Sequence, residues 1–115
     1  MRKEGDKGEV VARRYLERAG FEILVNNFCV RGGEIDIVAR APDGCVVFFE
    51  VKLRRREPED HASVLPRAKL ARVRLAARHF LLSYDGRVAR VRFDLILLVP
   101  FVGARLARIF WYKDV

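Results

Sequence analysis

The sequence predicts an α/β domain, a β-sheet layered with helices in the order α, β, β, β, α, β, β. Three observations lead there. Apolar residues recur at helical spacing in 4–20 and again in 67–84, while short apolar or alternating runs fill the stretches between and after them. No repeat, low-complexity tract or linker interrupts the 115 residues, so a single domain is expected to run from 1 to 115.

The first helix is read from 4-EGDKGEVVARRYLERAG-20, where Val11, Ala12, Tyr15, Leu16 and Ala19 form a stripe and Gly20 ends the element. At about 100° per residue, Glu9 projects close to the direction of Leu16. It is therefore expected on the inward stripe, one turn before the core begins. A first-turn Glu favoured by the helix dipole is the alternative reading.

The run 21-FEILVNNF-28 reads as a strand. In 33-GEIDIVARA-41, Ile35, Ile37 and Ala39 alternate with Glu34, Asp36 and Val38, and 42-PDG-44 is a turn signal before the strand that begins at Cys45. If Ala41 pairs with Cys45 across that loop, Asp36 faces Glu50 and Glu34 faces Lys52, all four on one face. A loop one residue longer or shorter would break the alignment. The segment 57-EPEDHASVLP-66 reads as a loop. The helix over 67–84 buries Leu70, Val73, Ala77, Phe80 and Leu81, and 90-RVRFDLILLVP-100 and 105-RLARIFWYKD-114 are the last two strands.

Within this frame 45-CVVFFEVKLRRR-56 is anomalous, because ionising Glu50 and Lys52 end a run as apolar as Val46 to Phe49. Unpaired buried charge costs several kcal/mol. Two opposed carboxylates repel unless a cation lies between them, and a hard divalent ion such as Mg²⁺ or Mn²⁺ would compensate both. Lys52 would then orient or deprotonate the attacking water, or stabilise charge on a phosphate, and Glu9 would complete the site. A cross-strand salt-bridge cluster among Glu34, Asp36, Glu50 and Lys52 fits the same spacing.

The net charge is +8, with 18 Arg against 5 Lys. Arginine's planar fork suits phosphate, which makes nucleic acid the leading class of partner; a solvated basic surface or an acidic protein partner is the alternative. Cys29 and Cys45 lack zinc-ligand spacing, and no signal-peptide pattern is present, so two structural thiols in a reducing cytoplasm are expected. The longest apolar run, 93-FDLILLVPFVGA-104, is too short to span a bilayer. No glycine-rich loop follows a strand: Gly32 and Gly33 precede one and read as backbone freedom, so no nucleotide cofactor is expected. His61 and His79 read as surface or helix-face residues.

The segments 8-GEVVARRYLERAGFEILVNNF-28, 32-GGEIDIVAR-40, 48-FFEVKLR-54, Lys69 with Arg72, and 92-RFDLI-96 closely resemble the YraN family of small bacterial proteins. That family is similar to the restriction-endonuclease-like superfamily with the PD-(D/E)xK signature and to archaeal Holliday junction resolvases. The resemblance implies a mixed central sheet flanked by helices. It implies Asp36, Glu50 and the Val51 carbonyl as metal ligands, Glu9 as the helix carboxylate acting directly or through water, and Lys52 as the signature lysine. Ile35 stands where the signature has proline, and loop 57–66 lacks the Phe-Gly or Tyr-Gly and Glu-Ala-Val associated with the family.

A Mg²⁺- or Mn²⁺-dependent DNA endonuclease of repair or recombination is the resulting expectation. Its candidate backbone contacts are Arg31, Arg54, Arg55, Arg56, Lys69 and Arg72, and they favour branched or flapped shape over base reading. A nucleic-acid-binding module without turnover accounts for the basicity equally well. A protein-interaction domain using 93–104 as an exposed dimer edge is the third reading. A homodimer would suit two-strand cleavage, though no heptad pattern supports one.

Overall fold

The computed structural model describes residues 7–103 and 106–115. Its elements are α1 (Lys7–Arg18), β1 (Glu22–Val30), β2 (Gly33–Arg40), β3 (Val46–Leu53), α2 (Arg67–Ser83), β4 (Val91–Pro100) and β5 (Ala107–Tyr112), with a 3-10 turn at His61–Ser63. The expected order is the observed one. Residues 4–6 of the expected first helix, and Ala104 and Arg105 before β5, lie outside the described residues.

The strands form one mixed sheet in the order β1-β2-β3-β4-β5. β1, β2 and β3 are an antiparallel meander, β3 and β4 are parallel with α2 in the crossover, and β4 and β5 are antiparallel. A parallel pair needs a long return connection, which the loop 54–66 and α2 provide. Among the described residues, no helix is long and apolar enough to cross a membrane.

Two apolar layers sandwich the sheet. Ala12 and Leu16 of α1 pack on Ile37, Ala39, Val47, Phe49, Ile96 and Leu98, with Phe21 and Trp111 against them. On the other face Val73, Ala76, Ala77 and Phe80 of α2 pack on Ile35, Val38, Val46 and Phe48. Val64, Leu65, Leu95, Leu97 and Val99 extend that layer toward β5. Burying each large side chain is worth about 1.5–3 kcal/mol.

The first-helix stripe is narrower than expected. Gly8, Glu9, Ala12 and Leu16 are buried, whereas Val11, Tyr15 and Ala19 are exposed. Nor do residues 93–103 form an edge of the sheet. β4 lies between β3 and β5 with Asp94 to Val99 buried, and only Pro100 to Gly103 emerge at the hairpin tip.

The β2–β3 register is the one the three-residue loop implies. The Ala41 amide donates to the Cys45 carbonyl, and Gly44 donates to Ala41 from a left-handed φ of 91°. Ile37 pairs with Phe49 and Val38 with Phe48.

Gly33 has a different role from the backbone freedom its sequence position suggests. A Cβ there would stand 2.4 Å from the Arg72 carbonyl oxygen and 3.1 Å from the Ala76 amide nitrogen. The start of β2 therefore lies directly against the α2 backbone, which fixes the helix relative to the strand that carries Asp36.

Candidate active site

The β2–β3 ladder stops at the Ile37–Phe49 pair, one residue short of Asp36 and Glu50. Beyond it the Val51 amide donates to Asp36 Oδ2 at 2.6 Å, a side-chain bond where a backbone bond would otherwise continue. On the other flank, β1 pairs Asn26 with Ile37 and Phe28 with Ile35, passing over Asn27 and Asp36. Asn27 has φ 55°, left-handed backbone in the middle of a strand.

The phase of both strands slips there. Ile35 packs with Val38 on the α2 side, not with Ile37 and Ala39 as simple alternation predicts. Asp36 thus sits where regular pairing is suspended on both sides.

The opening between β2 and β3 is a cavity of about 240 Å³ lined by Gly8, Glu9, Glu34, Asp36, Glu50, Val51, Lys52 and Leu53. All four charged residues placed on one face by the register line it, joined by Glu9 from α1. Glu9 is 5 % exposed, Asp36 2 % and Glu50 3 %.

The energetics of Glu50 are unusual for a carboxylate. Burial, then a hydrogen bond with Asp36 and the charge of Asp36, push its carboxyl from 4.5 up to about 8, against the opposing pull of Lys52 and Lys69. Near neutrality Glu50 therefore keeps its proton. Glu50 Oε2 is buried with no hydrogen-bond partner in the protein, a position that ordinarily costs about 1–3 kcal/mol.

Lys52 is held below its ordinary value of 10.5, first by burial and then by a side-chain contact with Lys69. Lys69 stands in the first turn of α2, a turn without an acidic residue, where the helix dipole already disfavours a cation. The fold thus brings Lys69 into the site itself. Sequence reading placed it among the general backbone contacts, because nothing in linear spacing tells that α2 starts beside the end of β3.

The other candidate contacts lie on the surface. Arg31 is exposed in the β1–β2 turn, Arg54, Arg55 and Arg56 follow β3, and Arg72 is exposed on α2. A largely structural charge escaped the sequence reading: Asp94 is buried and accepts from Arg92 Nε at 2.9 Å, Trp111 Nε1 at 2.8 Å and the Asp114 amide at 2.9 Å. Only the RFDLI stretch hinted at it. Cys29 is exposed and Cys45 buried, both as free thiols.

The donor set fits a hard divalent cation. Asp36 and Glu50 offer adjacent carboxylate oxygens, one of them unpartnered. In an extended strand the N–H and C=O of one residue turn to the same neighbour, so the Val51 carbonyl faces the Asp36 side along with its amide. Among the described residues no cluster of three or more His, Cys, Asp or Glu has metal-holding geometry. Mg²⁺ needs only one or two carboxylates, with water and phosphate completing its shell.

Fold and cavity together define the class: a mixed-sheet α/β protein whose acidic pair and lysines gather where an antiparallel ladder opens. The chain belongs to the family described as "Uncharacterised protein family UPF0102", the YraN family, whose model matches residues 8–98. A UPF0102 protein of Cupriavidus taiwanensis is 47% identical over 98 residues, covering 84% of this chain and 73% of that one. One from Idiomarina loihiensis is 36% identical over 116 residues, covering 96% and 93%. Among solved structures, a repair endonuclease from Pyrococcus abyssi is 20% identical with a TM-score of 0.45, covering 90% of this chain but only 42% of that one.

Proposed function

We propose that the chain is a metal-dependent DNA endonuclease that hydrolyses phosphodiester bonds in branched or partly single-stranded DNA during repair or recombination. The observation that carries this reading is the meeting of Asp36, Glu50 and Lys52 in one cavity, with a buried Glu50 oxygen left without a protein partner. A salt-bridge cluster built for stability would satisfy that oxygen. The rise of the Glu50 carboxyl to about 8 in that cavity is a shift of the kind that gathers at functional sites.

Asp36, Glu50 and the Val51 carbonyl would hold Mg²⁺ or Mn²⁺, with Glu9 acting directly or through water from α1. Bound there, the ion supplies charge stabilisation at the phosphate and a lowered pKa for water. The chain's own groups do the rest. Lys52, with its proton held less tightly than an ordinary lysine's, orients the attacking water and exchanges a proton with it, or in its charged form stabilises the phosphate under attack. Lys69 adds a second ammonium beside it, and an anionic phosphate between the two relieves their mutual repulsion. Arg31, Arg54, Arg55, Arg56 and Arg72 hold the backbone, which gives affinity without sequence.

The test is cleavage of labelled single-stranded, duplex, flap and four-way-junction DNA with Mg²⁺, Mn²⁺ or EDTA, using wild type, Asp36→Asn and Lys52→Ala. Cutting by wild type alone, dependent on metal, with DNA binding kept in both variants, is the expected result. Salt-dependent binding without cutting under either metal would overturn the enzyme reading in favour of a binding module.

A further inference from the structure

Beside the acidic cavity runs a second, apolar groove of about 290 Å³, walled by Lys7, Val11, Leu53, Pro100 and Leu106 among others. It shares Gly8 and Leu53 with the acidic cavity, so the two lie side by side. Its walls come from the elements that carry the chemistry. Leu53 follows Lys52 on β3, Val11 lies two residues after Glu9 on α1, and Leu106 and Pro100 stand at the β4–β5 hairpin, closed by the Phe101 amide on the Leu106 carbonyl. Leu53 is 57 % exposed and Leu106 70 % exposed, and Phe101 and Val102 are also exposed at the hairpin tip. Leucine at such exposure beside a charged site is an apolar surface that no described residue covers.

We infer that this groove receives unpaired bases of the nucleic-acid substrate next to the scissile phosphate, making it a determinant of selectivity for forked or gapped DNA over blunt duplex. The inference rests on the nuclease reading of the neighbouring cavity. Charge and the neighbouring acidic cavity select the occupant. Lys7 lines the groove, the exposed Arg54, Arg55 and Arg56 leave directly from Leu53, and the chain carries +8 overall. A polyanion is therefore drawn to this rim, and a strand held at the acidic cavity has the groove beside it. In duplex the bases are stacked inward and cannot reach an apolar wall. Where the strand is unpaired, bases splay onto apolar or aromatic side chains, and an apolar wedge at a branch holds the step open.

Binding in EDTA tests this without any turnover. Forked DNA and blunt duplex of equal length would each carry 2-aminopurine, placed in the fork at the first unpaired base. Affinity and probe fluorescence would be read for wild type, the Leu53→Ser/Leu106→Ser double variant and Lys52→Ala, with unfolding curves confirming that each variant is folded. Wild type should prefer the fork by about tenfold, with a change in probe fluorescence absent from the duplex. The double variant should lose the preference and the signal while keeping its duplex affinity, and Lys52→Ala should keep the preference. Equal affinity of wild type for both DNAs would overturn the inference, as would a double variant that keeps the preference or weakens on both DNAs alike. So would a wild-type dimer that the double variant turns into a monomer with DNA preference unchanged, since the groove would then be an interface between copies. If the nuclease reading itself fails, wild type cuts nothing yet these binding outcomes still separate.

Discussion

Raising the pH of the metal-free protein should weaken its fold, and Glu50 sets the amount. In the unfolded chain this carboxyl gives up its proton near 4.5; in the folded cavity it keeps it until about 8. Between those values the folded state binds the extra proton, so the associated stability is fully present below 4.5 and is lost as pH rises through about 8. At about 1.4 kcal/mol per pH unit, the whole span is worth at most about 5 kcal/mol. That is comparable with the lower end of the roughly 5–15 kcal/mol that holds a domain together. The assay is denaturant unfolding in EDTA across a pH series from about 5 to about 9, which brackets the fall. Glu50→Gln, which does not titrate, should be markedly flatter over the same range. On the proposed metal-dependent reading, Mg²⁺ should recover part of the lost stability at the alkaline end and little at the acid end, because ion and proton would compete for one place. Parallel loss in wild type and Glu50→Gln would refute the reasoning, and so would a rise in wild-type stability across the window.

Three further expectations follow from the geometry. Gly33→Ala sets a methyl against the Arg72 carbonyl and should cost about 1–3 kcal/mol, read by unfolding; a neutral result would mean that α2 yields freely. Asp94→Ala strips a buried acceptor from Arg92, Trp111 and the Asp114 amide and should cost about 3 kcal/mol, with indole fluorescence of Trp111 reporting the loosened β4–β5 pair. Lys69→Ala should raise the pKa of both Glu50 and Lys52, because that ammonium lowers both. NMR titration would show it, and an unmoved Lys52 would disprove their contact.

The parts of this architecture that depend on local chemistry were legible from the residues alone. The three-residue Pro-Asp-Gly loop fixed the β2–β3 register, and that register brought Asp36, Glu50 and Lys52 into one cavity. Glu9 was placed inward by helical angle, and it is buried. What depends on tertiary context was not legible. Ile35 lies on the α2 side at the irregularity where Asn27 adopts a left-handed conformation, which no alternation pattern encodes. Val11 and Tyr15 stayed exposed because α1 meets the sheet along a narrower line than an apolar stripe suggests. The role of Gly33 required knowing where the α2 backbone runs, and Lys69 reached the site for the same reason.

The suspended ladder beside Asp36 also bears on how the protein comes to be folded. The Val51–Asp36 contact closes over only 15 residues, whereas the β3–β4 pairing must wait for the loop and α2 to be ordered between them. Loop-closure entropy favours the short contact first. The two carboxylates belong to a local hairpin, whereas the lysine of α2 belongs to a longer-range contact. The acidic half of the site is thus encoded by neighbouring strands, while its second ammonium, Lys69, arrives from farther along the chain.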